Sequence, residues 1–198
     1  MNRISVSALA ALALISCLCL FGCGKDTTET PPPPDPPKTF KPLTDKADVI
    51  ANLALAYNQA DIVQYEKLLH AGYTFYNQER DVQMWGMETF RTREWEVAAT
   101  RNMFLAAKGQ LSANPALNLD VLSLEITAGS WTPIDTVPGL PAPCVDCWTT
   151  MRPYMLRLML TGGASGYTAD DLVQITVVPV QEGGKKLYKI YRMDDIAR

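Results

Sequence analysis

The chain predicts a segregated α+β fold. Three observations carry that expectation: apolar residues recur at helical spacing through residues 48–107, they alternate with polar ones from Leu117 to Met193, and a double glycine, Gly183-Gly184, joins two of the alternating runs. Helices followed by strands pack as two layers, and short turns between strands make neighbours antiparallel. The expected architecture is N-terminal helices packed on a strongly bent antiparallel sheet of about four strands. With 198 residues, 47% apolar and 20% charged, the chain has room for one such core. A net charge of -3 leaves no basic field for nucleic acid.

Ahead of that domain stands a segment read as targeting. Arg3 precedes an apolar run, 8–21, that falls short of the about 20 residues of a comfortable bilayer span, so residues 1–22 read as a signal peptide. The run ends in Leu20-Phe21-Gly22-Cys23, which resembles the lipobox of bacterial lipoproteins. That resemblance implies cleavage before Cys23 and a diacylglyceryl group on its sulfur, and several acyl chains hold a protein firmly at about 0.8 kcal/mol per buried methylene. Gly24 rather than aspartate follows Cys23, a pattern that resembles lipoproteins sent to an outer membrane. The expected location is the cell envelope, lipid-anchored in the outer membrane and facing the periplasm or cell surface. From Gly24 to about Pro42 the chain is polar and proline-rich, and such a run forms a stiff spacer. Residues 23–43 are thus the lipidated cysteine and tether, and 44–198 the folded domain.

The first helix is expected to start at Thr44 or Asp45, either of which can cap it, and to bury Ile50, Leu53, Ala54 and Tyr57. Asp61 with Gln64 forms a capping-box pattern, followed by Ile62, Tyr65, Leu68 and Leu69 on one face, with Gly72 placed to end the helix. Residues 73–76, Tyr-Thr-Phe-Tyr, form a short strand by composition. After a polar connection at 77–83, residues 85–107 read as a long helix with a break near Thr92. Its inward face is expected to hold Trp95, Ala98, Ala99, Asn102 and Leu105 or Ala106.

Leu117, Leu119 and Val121 alternate with polar residues, and then Leu122, Leu124 and Ile126 continue in the opposite phase, the mark of a β-bulge. Residues 149–160 form a second strand in which Pro153 requires a bulge or an edge. Residues 172–180 and 186–193 make a hairpin across Glu182-Gly183-Gly184-Lys185.

Of the five cysteines, Cys17 and Cys19 leave with the signal and Cys23 is lipidated, so Cys144 and Cys147 remain. An envelope compartment favours a disulfide between them. A redox pair lacks its usual strand-to-helix setting, zinc would need two more ligands than the neighbourhood supplies, and Trp148 in place of histidine removes haem attachment. The proline-rich insertion 128–148 that they close is long for a compact domain and can cover a pocket or present a surface to a partner.

The front segment LALAYNQADIVQYEKLLHAGYTFY and the ending LYKIYRMDDI resemble the nuclear-transport-factor-2-like superfamily, the cystatin-like α+β cone, from Lys46 to the C-terminus. The resemblance implies a curved sheet wrapping the long helix and a pocket in the cone's mouth; relatives commonly form a homodimer through the sheet's outer face, and the sequence leaves the oligomeric state open. Some members are enzymes, among them ketosteroid isomerases, polyketide cyclases and scytalone dehydratases, and many others bind ligands or partners.

The enzymes of this superfamily work with a carboxylate or a His-Asp pair inside the pocket, a base tuned by a dry cavity. The single histidine, His70, falls at the end of the second helix and reads as a helix-end or surface residue. By the resemblance Tyr57 can stand where an oxyanion-donating tyrosine stands in the isomerases, but at a core-facing helical position it reads first as a packed ring with a satisfied hydroxyl. Glu79 and Asp81 fall in a polar turn, so no acid stands out as a buried base. Tyr57, Tyr73, Phe75, Trp85, Trp95 and Tyr154, with Phe104, are candidates to line a pocket, although core packing explains each as well. The expectation is therefore a lipid-anchored binding or scaffold domain with no catalytic residue, cofactor or metal, whose partners are the membrane through Cys23 and a small apolar ligand or an envelope protein. The alternative is a small isomerase, cyclase or dehydratase, which a pocket holding a carboxylate beside a tyrosine would favour.

Overall fold

Residues 38–111, 115–162 and 165–197 are described by the structure, a computed structural model. The signal segment 1–22, the lipidation site Cys23 and the tether up to residue 37 lie outside the described residues. Among the described residues no helix is long and apolar enough to cross a membrane.

The fold begins before its first helix. Phe40 and Leu43 pack against the core, and the buried Asn52 side chain exchanges two hydrogen bonds with the Lys41 backbone, at 2.8 and 3.0 Å. Helix α1 (Lys46–Asn58) is capped by Asp45, whose carboxylate accepts from the Ala47 amide at 2.7 Å. It buries Val49, Ile50, Leu53 and Ala56, while Tyr57 is half-buried. Helix α2 (Ile62–Leu68) is capped by Asp61 on the Gln64 amide, as the sequence requires.

Strand β1 (Leu69–Tyr76) follows α2 without a loop, so Gly72 lies inside a strand rather than at a helix end. The ladder explains the correction: β1 pairs in parallel with the last strand, β7 (Lys185–Ile196), with an irregularity between Leu69 and Thr74 that takes up Gly72. A long-range pairing of this kind has no local signature. The segment expected as a polar connection folds as a short helix, α3 (Glu79–Trp85), which Gly86 ends at φ 63°. Strand β2 (Phe90–Thr92) pairs antiparallel with β1, placing Arg91 opposite Phe75. The long helix, α4 (Arg93–Ala107), therefore starts at a cap on Thr92, not at Trp85. It buries Glu96, Val97, Thr100, Phe104 and Ala106, whereas Trp95, Ala98 and Asn102 are exposed.

Strand β3 (Leu119–Ile126) carries its bulge between Leu119 and Val121, and Leu122, Leu124 and Ile126 then face the core. Strand β4 (Thr132–Ile134) and β3 pair with different parts of β5 (Cys147–Leu160), and Pro153 falls in the gap between them, where its missing N–H costs no ladder bond. Strand β6 (Gly166–Glu182) joins β7 through Gly183 and Gly184, both at positive φ, 58° and 75°, as a tight hairpin turn demands. Among the described residues the sheet is seven-stranded and mixed, in the order β2-β1-β7-β6-β5-β3, with β4 on β5, rather than purely antiparallel with about four strands. Helices α1 and α4 lie on its concave side, and the core between them centres on Leu53, Tyr65, Phe104, Ile175 and Ile190.

Residues 134–147 of the insertion pack on the opposite face, while Trp131 and Trp148 at its ends pack against the main core. Val137 and Cys147 bury themselves against Val178 and Tyr191, and Gly139 sits so close to the Tyr191 hydroxyl that an added Cβ would stand 2.5 Å from it. Cys144 and Cys147 are joined in a disulfide. Between them Asp146, at φ 63°, accepts from Lys186 Nζ (2.7 Å), the Tyr188 hydroxyl (2.5 Å) and Trp148 Nε1 (2.7 Å). The hydrogen bonds from Lys186 and Tyr188 hold its carboxyl at about 2.

Candidate active site

Between α1, α4 and the concave face of the sheet lies a cavity of about 250 Å³. Its walls are mostly apolar, with Leu53, Met103, Leu124, Ile126, Leu156 and Val173 contributing to them. Two polar poles interrupt that surface.

The first pole is built around Glu96. It projects from the first turns of α4, and the rest of that inward stripe, Thr100 and Phe104, follows at four-residue steps. The Tyr65 hydroxyl points at Glu96 Oε1 across 3.4 Å, and Arg91 approaches Oε2 at 3.6 Å. Oε2 is buried and makes no hydrogen bond. Burial raises the Glu96 carboxyl above its ordinary value of 4.5, with Arg91 opposing. Arg91 itself rests against the rings of Trp95 (4.5 Å) and Phe75 (5.4 Å), which fixes its direction. The hydroxyl of Tyr73, in β1, lies beside that of Tyr65, buried and without a hydrogen bond of ordinary length. Burial holds Tyr57, Tyr65 and Tyr73 protonated far above their ordinary value of 10.0. They therefore keep a proton to donate, and edge-on contacts of Tyr57 and Tyr65 with Phe104 lock two of the rings.

The second pole is Asp195, from the end of β7. It accepts from the Tyr154 hydroxyl at 3.1 Å, and burial is the main cause that raises its carboxyl. Glu96 and Asp195 are thus shifted by separate sets of neighbours.

Of the residues singled out from the sequence, Tyr57, Tyr73, Phe75 and Tyr154 line this one cavity. Trp85 and Trp95 do not: Trp85 ends α3 at 71% exposure, and Trp95 points outward from α4 onto Arg91. Phe104 packs behind the tyrosines. His70 lies in β1 outside the cavity, its Nδ1 accepting from the Gly72 amide at 3.0 Å, with burial lowering its pKa. Nothing in 128–148 lines the cavity. Glu96, Arg91, Thr100 and Asp195 escaped the sequence reading, and the available signal for the first was a polar pair four residues apart, Glu96 and Thr100, on the line of Phe104.

By sequence, no family model and no curated protein matches the chain. By structure it is similar to a type 2 hexachlorocyclohexane dehydrochlorinase, with TM-score 0.51 and 6% identity over 77% of this chain and 82% of that one. It is also similar to a protein of Novosphingobium aromaticivorans provisionally described as a scytalone dehydratase, with TM-score 0.52 and 8% identity over 77% and 80% of the two chains. A third neighbour is the Kfla4162 protein of Kribbella flavida, with TM-score 0.52 and 12% identity over 76% and 86%. The domain has the nuclear-transport-factor-2-like fold. Identities this low speak for the fold alone. In this nuclear-transport-factor-2-like domain the cone's interior is an open cavity with a buried carboxylate and tyrosine hydroxyls on its wall, not a space filled by aromatic side chains.

Proposed function

We propose that this domain is a small proton-transfer enzyme, of isomerase or lyase type, acting on a mostly apolar molecule that carries a carbonyl oxygen, and that a lipid on Cys23 holds it at the cell-envelope membrane. One observation carries the reading: inside an apolar cavity, Glu96 Oε2, with the Arg91 guanidinium 3.6 Å away, and the Tyr73 hydroxyl are buried side-chain atoms without a hydrogen bond of ordinary length. An acceptor held only by a long ion pair and a donor without a close partner, side by side in a buried wall, are what a substrate would complete.

The chemistry follows from the two groups. Glu96 takes a proton from the carbon next to the carbonyl, and the C–H electron pair moves into a carbon-carbon double bond as charge collects on oxygen. Tyr73, held neutral, donates a hydrogen bond to that oxygen, while Tyr65 keeps its own on Glu96 Oε1. Arg91 holds the carboxylate in place. The protonated Glu96 then returns its proton to another carbon, or a leaving group departs with the electron pair. Burial, which raises the Glu96 carboxyl above its ordinary value, makes it a stronger base than an exposed glutamate. Structural neighbours named as a dehydrochlorinase and a dehydratase support the reading, since both reactions remove a proton beside a leaving group.

The test is exchange of the α-protons of 2-tetralone in D2O, followed by NMR. The protein is expected to accelerate exchange over buffer, and Glu96→Gln to lower that acceleration by about 100-fold or more. No acceleration, or an unchanged rate in E96Q, would leave a binding or scaffold domain instead. The membrane part is checked by fractionating the envelope: Cys23→Ala is expected to leave the precursor unprocessed and move it out of the membrane-anchored fraction.

A further inference from the structure

Acid-base chemistry between Glu96 and Tyr73 leaves one polar group of the cavity wall unused. Arg91 lines the cavity, and a guanidinium carries several N–H donors and no acceptor. Among the described residues its polar contact is the approach of Nη1 to Glu96 Oε2 at 3.6 Å, longer than a hydrogen bond. Two other shielded arginines of the sheet differ. Arg192 donates from Nε to both oxygens of Asp194, at 2.8 and 2.9 Å, and Arg152 spends Nε, Nη1 and Nη2 on Thr150, Thr127 and Gly129. Only 19% of the Arg91 side chain is exposed, so its charge is largely withdrawn from water. Its Cζ lies over the rings of Trp95 and Phe75, contacts that hold the group in place without supplying an oxygen acceptor. The same charge reaches the Tyr57 and Tyr73 hydroxyls. This end of the cavity therefore has a surplus of donors: a carbonyl oxygen takes that of Tyr73, and those of Arg91 remain.

We propose that Arg91 receives a carboxylate of the ligand, so that the molecule held in the cavity is an apolar acid, and under the acid-base reading an apolar oxo acid. This rests on the reading of the cavity as a site for a small, mostly apolar molecule. A carboxylate is planar and accepts from a guanidinium through two oxygens at once, which suits a fixed fork better than a single carbonyl does. It also brings less negative charge than a phosphate to a cavity that already holds Glu96 and Asp195. Arg91 then stands between two carboxylates, that of Glu96 and that of the ligand, and the carbon next to the ligand's acid group lies close to the base. An ammonium group at this end would meet the Arg91 charge and is disfavoured.

The experiment compares three probes built on one apolar cage, adamantane-1-carboxylate, adamantane-1-carboxamide and 1-aminoadamantane, by calorimetry on the full chain at low salt. The carboxylate is expected to bind at least about 10-fold tighter than the carboxamide, and the ammonium more weakly than either. Arg91→Gln, checked for an unchanged circular dichroism spectrum, is expected to abolish the carboxylate preference. Glu96→Gln, which removes the competing carboxylate and leaves Arg91 in place, is expected to keep it. Equal affinity of carboxylate and carboxamide in the unmutated chain overturns the proposal without any variant, and so does a preference that survives in R91Q. Exchange of 2-tetralone that depends on Glu96, with no carboxylate preference, would sink this inference alone. A carboxylate preference without exchange would sink the acid-base reading and leave the apolar acid as the ligand of a binding domain.

Discussion

Glu96 occupies a position that helix packing alone would assign to an apolar side chain. Its burial raises the pKa, so the folded state holds the proton more tightly than the unfolded chain does. Stability therefore falls as pH rises from the ordinary value of 4.5 through the raised one, and the penalty is complete above that window. Glu96→Gln should then stabilise the protein by about 1–2 kcal/mol at pH 8, with the gain shrinking toward zero below about pH 4. Thermal melts at the two pH values check this, and a variant less stable at pH 8 would show that the Arg91 contact outweighs the burial. The same shift gives the exchange reaction a pH profile: the basic form of Glu96 appears later than in an ordinary glutamate, so the rate should climb through an inflection above 4.5. Neither property was legible in the sequence. A periodicity reading sends apolar residues inward, and so put Trp95 and Ala98 inside and left Glu96 outside. It fails on α4 because that stripe faces a cavity wall, where polar groups stay buried at a cost to stability.

Elements with strong local signals were readable, and those made by pairing were not. The caps at Asp45 and Asp61, the bulge before Val121 and the Gly183-Gly184 turn are each written in a few neighbouring residues. By contrast β2 is a three-residue strand only because β1 lies beside it, and α3 buries no side chain fully. The insertion is intermediate: its cysteines announced a staple, yet its seat on the outer face depends on Tyr191, far away in sequence. Two expectations follow for it. Gly139→Ala should destabilise the protein by about 1–3 kcal/mol, since φ is 86° there and the new methyl group meets the Tyr191 hydroxyl; urea denaturation measures the loss. Asp146→Ala removes the acceptor of three hydrogen bonds at the surface and should cost about 1–2 kcal/mol at pH 7. Because the Asp146 carboxyl is lowered to about 2, its contribution is present above the ordinary value of 3.8 and is lost as pH falls through about 2. A variant that melts with the unmutated chain at pH 7 would show that solvent already screens the cluster.

At the scale of the whole chain, the boundary drawn from composition and the boundary drawn from packing differ by a few residues that decide stability. Composition ends the tether at residue 43, because prolines and polar residues dominate up to that point. Packing begins earlier: Phe40 and Leu43 touch the core, Lys41 satisfies Asn52, which is only 3% exposed, and the Leu43 carbonyl accepts from the Tyr188 amide at 2.7 Å. A short apolar residue between prolines gives no periodic signal, so only the fold reveals these contacts. A chain beginning at residue 38 keeps all of them. One beginning at residue 44 loses two apolar side chains, strands both ends of the Asn52 amide and frees the Tyr188 amide of β7. Each lost buried partner costs about 1 kcal/mol or more, and the apolar contacts add to that. The shorter chain should therefore melt at least about 5–10 °C below the longer one, given about 2–4 °C per kcal/mol for a domain of this size. Paired melts of the two truncated proteins decide it. Equal melting temperatures would mean that the segment before α1 belongs to the tether after all, and that Asn52 finds its partners in water.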